Sequence, residues 1–221
     1  MVARRRAVAA PHIDVLRLPD LTDADPDTIR AGAHHEGFRY ADADLAGRDL
    51  SDVVFSECAF DGLEAHETEL RGARILETRI VRLNAPVLRA ARSTWRDVHV
   101  EGSRLGAAEL YESELRSVAV TGSKLTFLNL RAATLHDVRF TDCVIDELDL
   151  TGARVDRVAL DGCAVGTLVL DQARLAHVDL RGADLRTIGG IDSLRGAVIS
   201  SAQALDLAGT FAEHLGITVA D

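Results

Sequence analysis

Aromatic residues are scarce in this 221-residue chain: they make up 4 %, with a single Trp, two Tyr and six Phe, and there is one Met and four Pro. Even so, 47 % of the residues are hydrophobic, enough for a sizeable core and too many for wholesale disorder. The core must therefore be built from aliphatic and small side chains. Lysine is nearly missing, Lys124 being the only one. Three cysteines, an odd number in a long chain, do not make a disulfide framework and suit a reducing compartment. No apolar run approaches the ~18 residues of a membrane helix. Arg4-Arg5-Arg6 has the positive start of a signal peptide without the roughly 7 to 15 apolar residues that should follow. The expectation is a cytoplasmic protein with no membrane contact. Basic residues are outnumbered 25 to 35, a net charge of −10, and no basic patch stands out, which argues against direct nucleic-acid binding.

What is present is a period. Every fifth residue from Tyr40, through Leu45, Leu50, Phe55 and Phe60 to Leu180 and Leu185, is hydrophobic. In a chain about half hydrophobic, some thirty consecutive hits at random would have a probability on the order of one in a billion. A second phase two residues earlier, from Phe38 and Ala43 to Ile188, is apolar or small almost throughout. It has Ser or Thr at 68, 78, 93, 103, 113 and 123, and one clear violation, Arg48. Neither the helical period of 3.6 nor a sustained period of 2 produces this pattern. Three extended residues with both ends inward, followed by a corner, do.

Four such units make a square coil of twenty residues, and the columns agree. Val98, Val118, Val138, Val158 and Val178 would stack as a ladder. Gly62, Gly102, Gly122, Gly162 and Gly182 share a corner column with Asp142, where glycine supplies the positive φ of a type II turn. Coils ~4.8 Å apart would stack residues 38–188 into a rod of roughly 36 Å.

The unit resembles that of the pentapeptide-repeat family, Ala-Asp/Asn-Leu-x-x. Ala43-Asp44-Leu45 and Ala183-Asp184-Leu185 are close copies, with looser ones at Ala73-Arg74-Ile75, Ala133-Thr134-Leu135 and Ala173-Arg174-Leu175. The resemblance covers residues 38–188 and implies an all-β fold, a right-handed quadrilateral β-helix. Its middle position often carries Arg, Glu or an apolar residue here; that position faces solvent, so the departure bears on the surface and not on the fold.

A β-helix exposes strand edges at both ends and needs caps. Residues 1–37, irregular and rich in Pro and Asp, read as a tail leading to an N-terminal cap. Residues 189–221 read as a last irregular coil with a short C-terminal capping helix. There Ser200 with Gln203 is a capping-box pattern, and Ala202 to Leu215 reads as one helix stopped by Gly216. Leu205, Ala208, Ala212 and Leu215 share one face, and Leu207 and Phe211 form a second stripe. One stripe can cover the last coil. The resemblance assigns the other to a head-to-head homodimer, since family members commonly dimerise through a C-terminal segment; a monomer with both stripes buried is the alternative.

Catalytic or metal chemistry finds no support. The eight His show no ligand spacing, Cys143 and Cys163 stack inward as core filling, and inward Ser103, Ser113 and Ser123 have no inward His to activate them. No cofactor is implied, and a closed, side-chain-filled coil offers no pocket, so the chain does not read as an enzyme. Surface recognition of another protein remains. One face gathers Asp49, Asp52, Glu69, Glu109, Glu112, Asp149 and Asp171; an outward corner column carries Val87, Ala107 and Phe127 beside Pro86, either an interaction patch or simply a crowded corner. The expectation is a non-catalytic protein-protein interaction scaffold with an unknown partner. The resemblance adds an alternative: some family members imitate duplex DNA, bind DNA gyrase in its place and confer fluoroquinolone resistance.

Overall fold

The computed structural model describes residues 8–220, so the Arg4–Arg6 run lies outside the described residues. Each strand of the repeat pairs in parallel with the segment twenty residues further on: Tyr40 lies against Phe60, Phe60 against Ile80, Ile80 against Val100 and Val100 against Val120. The same register on all four sides winds the chain into a parallel β-solenoid of about nine turns followed by a short helical segment. At ~4.8 Å per turn it spans roughly 43 Å. Among the described residues no helix is long and apolar enough to cross a membrane.

Both inward phases are buried except at Phe38, Arg48, Leu175 and Leu185, which are partly buried; in the valine ladder Val98, Val118, Val138, Val158 and Val178 are at most 4 % exposed. Each coil satisfies its backbone groups on the coils above and below, so an aliphatic interior leaves almost no polar group unpaired. Where the inward residue is Ser, it bonds to backbone nearby: the Ser103 hydroxyl donates to the Glu101 carbonyl and accepts from Leu83 N–H, and Ser123 repeats the first contact at Thr121.

The corners differ from the glycine expectation. Gly62, Gly102, Gly122 and Gly162 have positive φ, but so do sixteen non-glycine residues, Asp142 among them, all of them two residues after an inward centre. Gly182 is not among the positive-φ residues; there a Cβ would meet the Leu160 carbonyl oxygen at 3.0 Å and the Asp161 Cα at 3.1 Å, so glycine serves close backbone approach. One corner column leaves the rule after its first two coils. After Gly47 and Glu67, which are left-handed, Val87, Ala107, Phe127, Glu147, Thr167 and Thr187 are not. Branched and bulky residues avoid positive φ, so the corner without it is where Val87 and Phe127 fit.

The winding starts before the uninterrupted period does, since Thr22–Asp23 already pairs with Phe38–Arg39. A 3-10 turn at Pro26–Thr28 hides this first coil by shifting its inward residue to Ile29, and His35 takes the next inward slot. Tyr40 Oη lies 2.9 Å from His35 Nδ1, and His35 stacks on Phe55 at 5.5 Å. Burial pushes the Tyr40 phenol up to about 12 and His35 down, so the pair is neutral. Arg48, the violation, turns away from the core and donates to the Pro26 carbonyl at 3.1 Å and to the Ile29 carbonyl.

At the other end Ala197–Val198 pairs with Val178–Asp179. The capping box forms, with Gln203 N–H on Ser200 Oγ at 3.2 Å and Ser200 N–H on Gln203 Oε1 at 2.7 Å. Instead of one helix there are two, α1 (Ser201–Asp206) and α2 (Ala208–His214), joined at Leu207. Leu207 is buried and Phe211 packs partly against the core, whereas Leu205 and Leu215 are 78 % and 70 % exposed. The stripe of Leu207 and Phe211 therefore covers the last coil.

Candidate functional site

Among the described residues the interior is filled by side chains. Its voids are about 20 to 50 Å³, lined by core side chains such as Leu135, Leu148 and Leu168. Among the described residues no group of three or more His, Cys, Asp or Glu is placed to hold a metal. Cys58, Cys143 and Cys163 are free and buried. The groups open to recognition among the described residues are outward side chains.

The acidic face is less bare than its sequence suggests. Asp149 is 1 % exposed, not a surface charge: its carboxylate takes a 2.6 Å bond from Arg131 Nε and a 2.9 Å bond from Thr151 N–H. Burial pushes this carboxyl up, and the Thr151 and Arg131 bonds outweigh it and hold the group low. Glu112 pairs with Arg92 at 2.6 Å and Glu69 with Arg71 at 3.8 Å. Asp49 is bonded by Ser51. Glu109 is half-buried; Asp52 and Asp171 stand exposed.

The apolar corner residues are brought together. Val87 lies in register with Ala107, and Ala107 with Phe127, all half-buried, with Pro86 exposed beside them. Gly106 sits where a Cβ would strike the Pro86 carbonyl oxygen at 2.2 Å, so this edge is tightly drawn in. The adjoining face carries an open groove of about 650 Å³ lined by Asn84, Pro86, Arg104, Lys124, Thr126 and Val144. In it Arg104 and Lys124 are register partners on adjacent coils. Like charges so placed repel. On the other side of the strip Arg89, Arg92 and Arg131 pair with Glu67, Glu112 and Asp149; among the described residues, Arg104 and Lys124 have no ion-pair partner.

Sequence reasoning missed this cation pair, although both residues hold the same place in the twenty-residue column. What the linear pattern does not reveal is that Arg89, Arg92 and Arg131 meet carboxylates while Arg104 and Lys124 do not, even though Asp142 also lines the groove.

Two protein-family models match the chain: pentapeptide repeats (8 copies) over residues 41–75 and a pentapeptide repeat region over residues 93–168. No curated protein matches it significantly. Among solved structures, trypsin-treated QnrB1, a plasmid-mediated fluoroquinolone resistance protein, is 18 % identical over 90 % of this chain and 95 % of that one, with a TM-score of 0.49. HetL, a pentapeptide repeat protein involved in heterocyst differentiation regulation from the cyanobacterium Nostoc sp. strain PCC 7120, is 18 % identical over 77 % and 91 %, with a TM-score of 0.27.

Proposed function

Because the chain belongs to the pentapeptide-repeat family, we propose that it is a non-catalytic scaffold that binds another protein through an outward face of its rod. One observation carries this reading: the apolar strip Val87–Ala107–Phe127 borders a groove in which Arg104 and Lys124 make no ion pair among the described residues, Asp142 being the one carboxylate in its lining. Apolar area supplies affinity and the unpaired charges supply orientation. A protein segment with apolar and acidic residues fits both. Lys124 is the chain's only lysine, so an amine-reactive crosslinker reports on this groove with little background. The expected result is one crosslinked protein at Lys124, lost in Phe127→Ser and in Arg104→Glu. The reading fails if neither variant changes the crosslinked set.

The net charge of −10 on a rod favours a second reading, a DNA gyrase binder that imitates duplex DNA. Its weakness is magnitude. Duplex DNA of ~43 Å carries roughly 25 charges at one per ~1.7 Å, and several carboxylates here are neutralised by arginine. Gyrase supercoiling with micromolar protein tests it: inhibition, weakened by reversing Asp52 and Asp171 to Lys, supports imitation, and no inhibition removes it.

A further inference from the structure

Residues 9–14 lie along one outer corner of the rod, on residues that take no part in the Arg104–Lys124 groove. Ala9 N–H donates to His177 Nδ1 at 3.2 Å, His12 N–H to Asp137 Oδ1 at 2.8 Å and Asp14 N–H to Ser117 Oγ at 3.1 Å; Arg139 Nη2 donates to the Pro11 carbonyl at 3.1 Å. Ser117, Asp137 and His177 belong to one corner column, so this strap runs from a late coil toward an early one. The geometry is consistent. Three extended residues cover ~10 Å, and the two coils between His177 and Asp137 span about the same. Pro11 is buried, Ile13, Leu16 and Leu18 are half-buried, and His12, Asp14, Val15 and Arg17 face solvent.

Two features mark the strap as a replaceable occupant. All four of these hydrogen bonds use strap backbone groups, which any extended segment offers. The corner also holds unused capacity: Arg139 Nε, 3.7 Å from the Asp161 carboxylate, and His99 Nε2 are buried without a hydrogen-bond partner, in one column on either side of Ala119. Buried polar groups are ordinarily paired, so a segment that reaches these atoms fits the trough better than the strap does.

We propose that this corner is a docking trough for an extended segment of a partner protein, and that residues 9–14 occupy it in cis until displaced. The matching segment places a proline or other apolar residue in the Pro11 position and an apolar residue two further on. A side-chain carbonyl or carboxylate beside them would accept from Arg139 Nε. The trough stands independently of the groove proposed above.

The probe is a labelled synthetic peptide of residues 8–18, titrated onto full-length protein by fluorescence anisotropy. In the unaltered chain the tethered strap competes at an effective concentration of about millimolar, so binding is weak. With the strap loosened by Pro11→Asp and Ile13→Asp, binding becomes saturable and at least about tenfold tighter. Adding Ser117→Ala and Arg139→Ala removes it. Equal, non-saturable binding to both proteins overturns the proposal. Hydrogen exchange on the unaltered chain is a readout that needs no variant: the His12 and Asp14 amides exchange about a hundredfold or more faster than those of Val118 and Val138 if the strap lifts by itself. Exchange at the core rate overturns displaceability.

Discussion

At the N-terminal end of the rod Tyr40 stacks on Phe60 at 5.1 Å, Phe55 meets Phe60 edge-on at 5.0 Å, and Ile29 closes the opening with no exposure at all. At the C-terminal end the last coils hold Leu175 and Leu185 only partly buried, beneath Leu207 and Phe211 of a short helical segment, and Leu205, Leu215, Ile217 and Val219 are left exposed. Four of the chain's nine aromatic residues, Phe38, Tyr40, Phe55 and Phe60, cluster at the first end. Covering a solenoid's core and leaving no apolar surface behind are thus separate tasks; among the described residues the first coils around Ile29, Tyr40 and Phe60 accomplish both, and Val15 on the strap alone stands exposed there.

Phe60→Ala would break that contrast most severely. It removes a nearly fully buried ring from the cluster and is expected to cost about 3–5 kcal/mol, read as a fall in the denaturant midpoint. Phe211→Ala, at a partly buried site, should cost clearly less; equal losses would mean that the two ends are closed equally well.

Acid should act next, on the strap that extends the N-terminal end along the rod. The Arg157 hydrogen bond, aided by His12 N–H and working against burial, holds the Asp137 carboxyl at about 2, below the ordinary 3.8. A lowered carboxyl contributes stability that is fully present above the ordinary value and lost as pH falls through the lowered one. The contribution, about 2 kcal/mol, should therefore disappear between about pH 4 and 2, and Asp137→Asn should abolish that part of the acid dependence in urea titrations.

At the C-terminal end Ser200→Ala removes the cap of α1 and should cost about 1 kcal/mol, with faster amide exchange in α1 and α2 while the coils stay protected. The smallest effect on stability, within about ±0.5 kcal/mol, is expected for Leu205→Glu with Leu215→Glu. These two side chains nevertheless sharpen the comparison most. If the exposed stripe joins two copies head to head, sedimentation shows a concentration-dependent dimer that this double variant dissolves. A monomer at all concentrations would leave the C-terminal end merely under-covered.

Much of the fold was legible because the period acts as a coordinate system. Once a residue's place in a twenty-residue coil is known, its register partners follow, which is why the grouping of Val87, Ala107 and Phe127 follows from residue spacing alone. Legibility failed wherever the lattice is left or locally shifted. The Pro26–Thr28 turn hid the first coil. Arg48 looked like a defect because its partners, the Pro26 and Ile29 carbonyls, lie in and beside that turn. The glycine rule for corners was too narrow, since ladder bonds on both sides hold residues such as Asp137, Arg157 and His177 at positive φ despite their side chains.

By itself, then, the sequence determined the coil, its register and the composition of its core, because these depend on short-range periodicity repeated many times. Tertiary structure alone decided which charges remain free, which helix stripe is covered, and that the strap crosses 125 residues of sequence to join His12 to Asp137. These outcomes depend on where segments outside the repeat come to rest and on which of several nearby arginines a carboxylate meets, and no period encodes either.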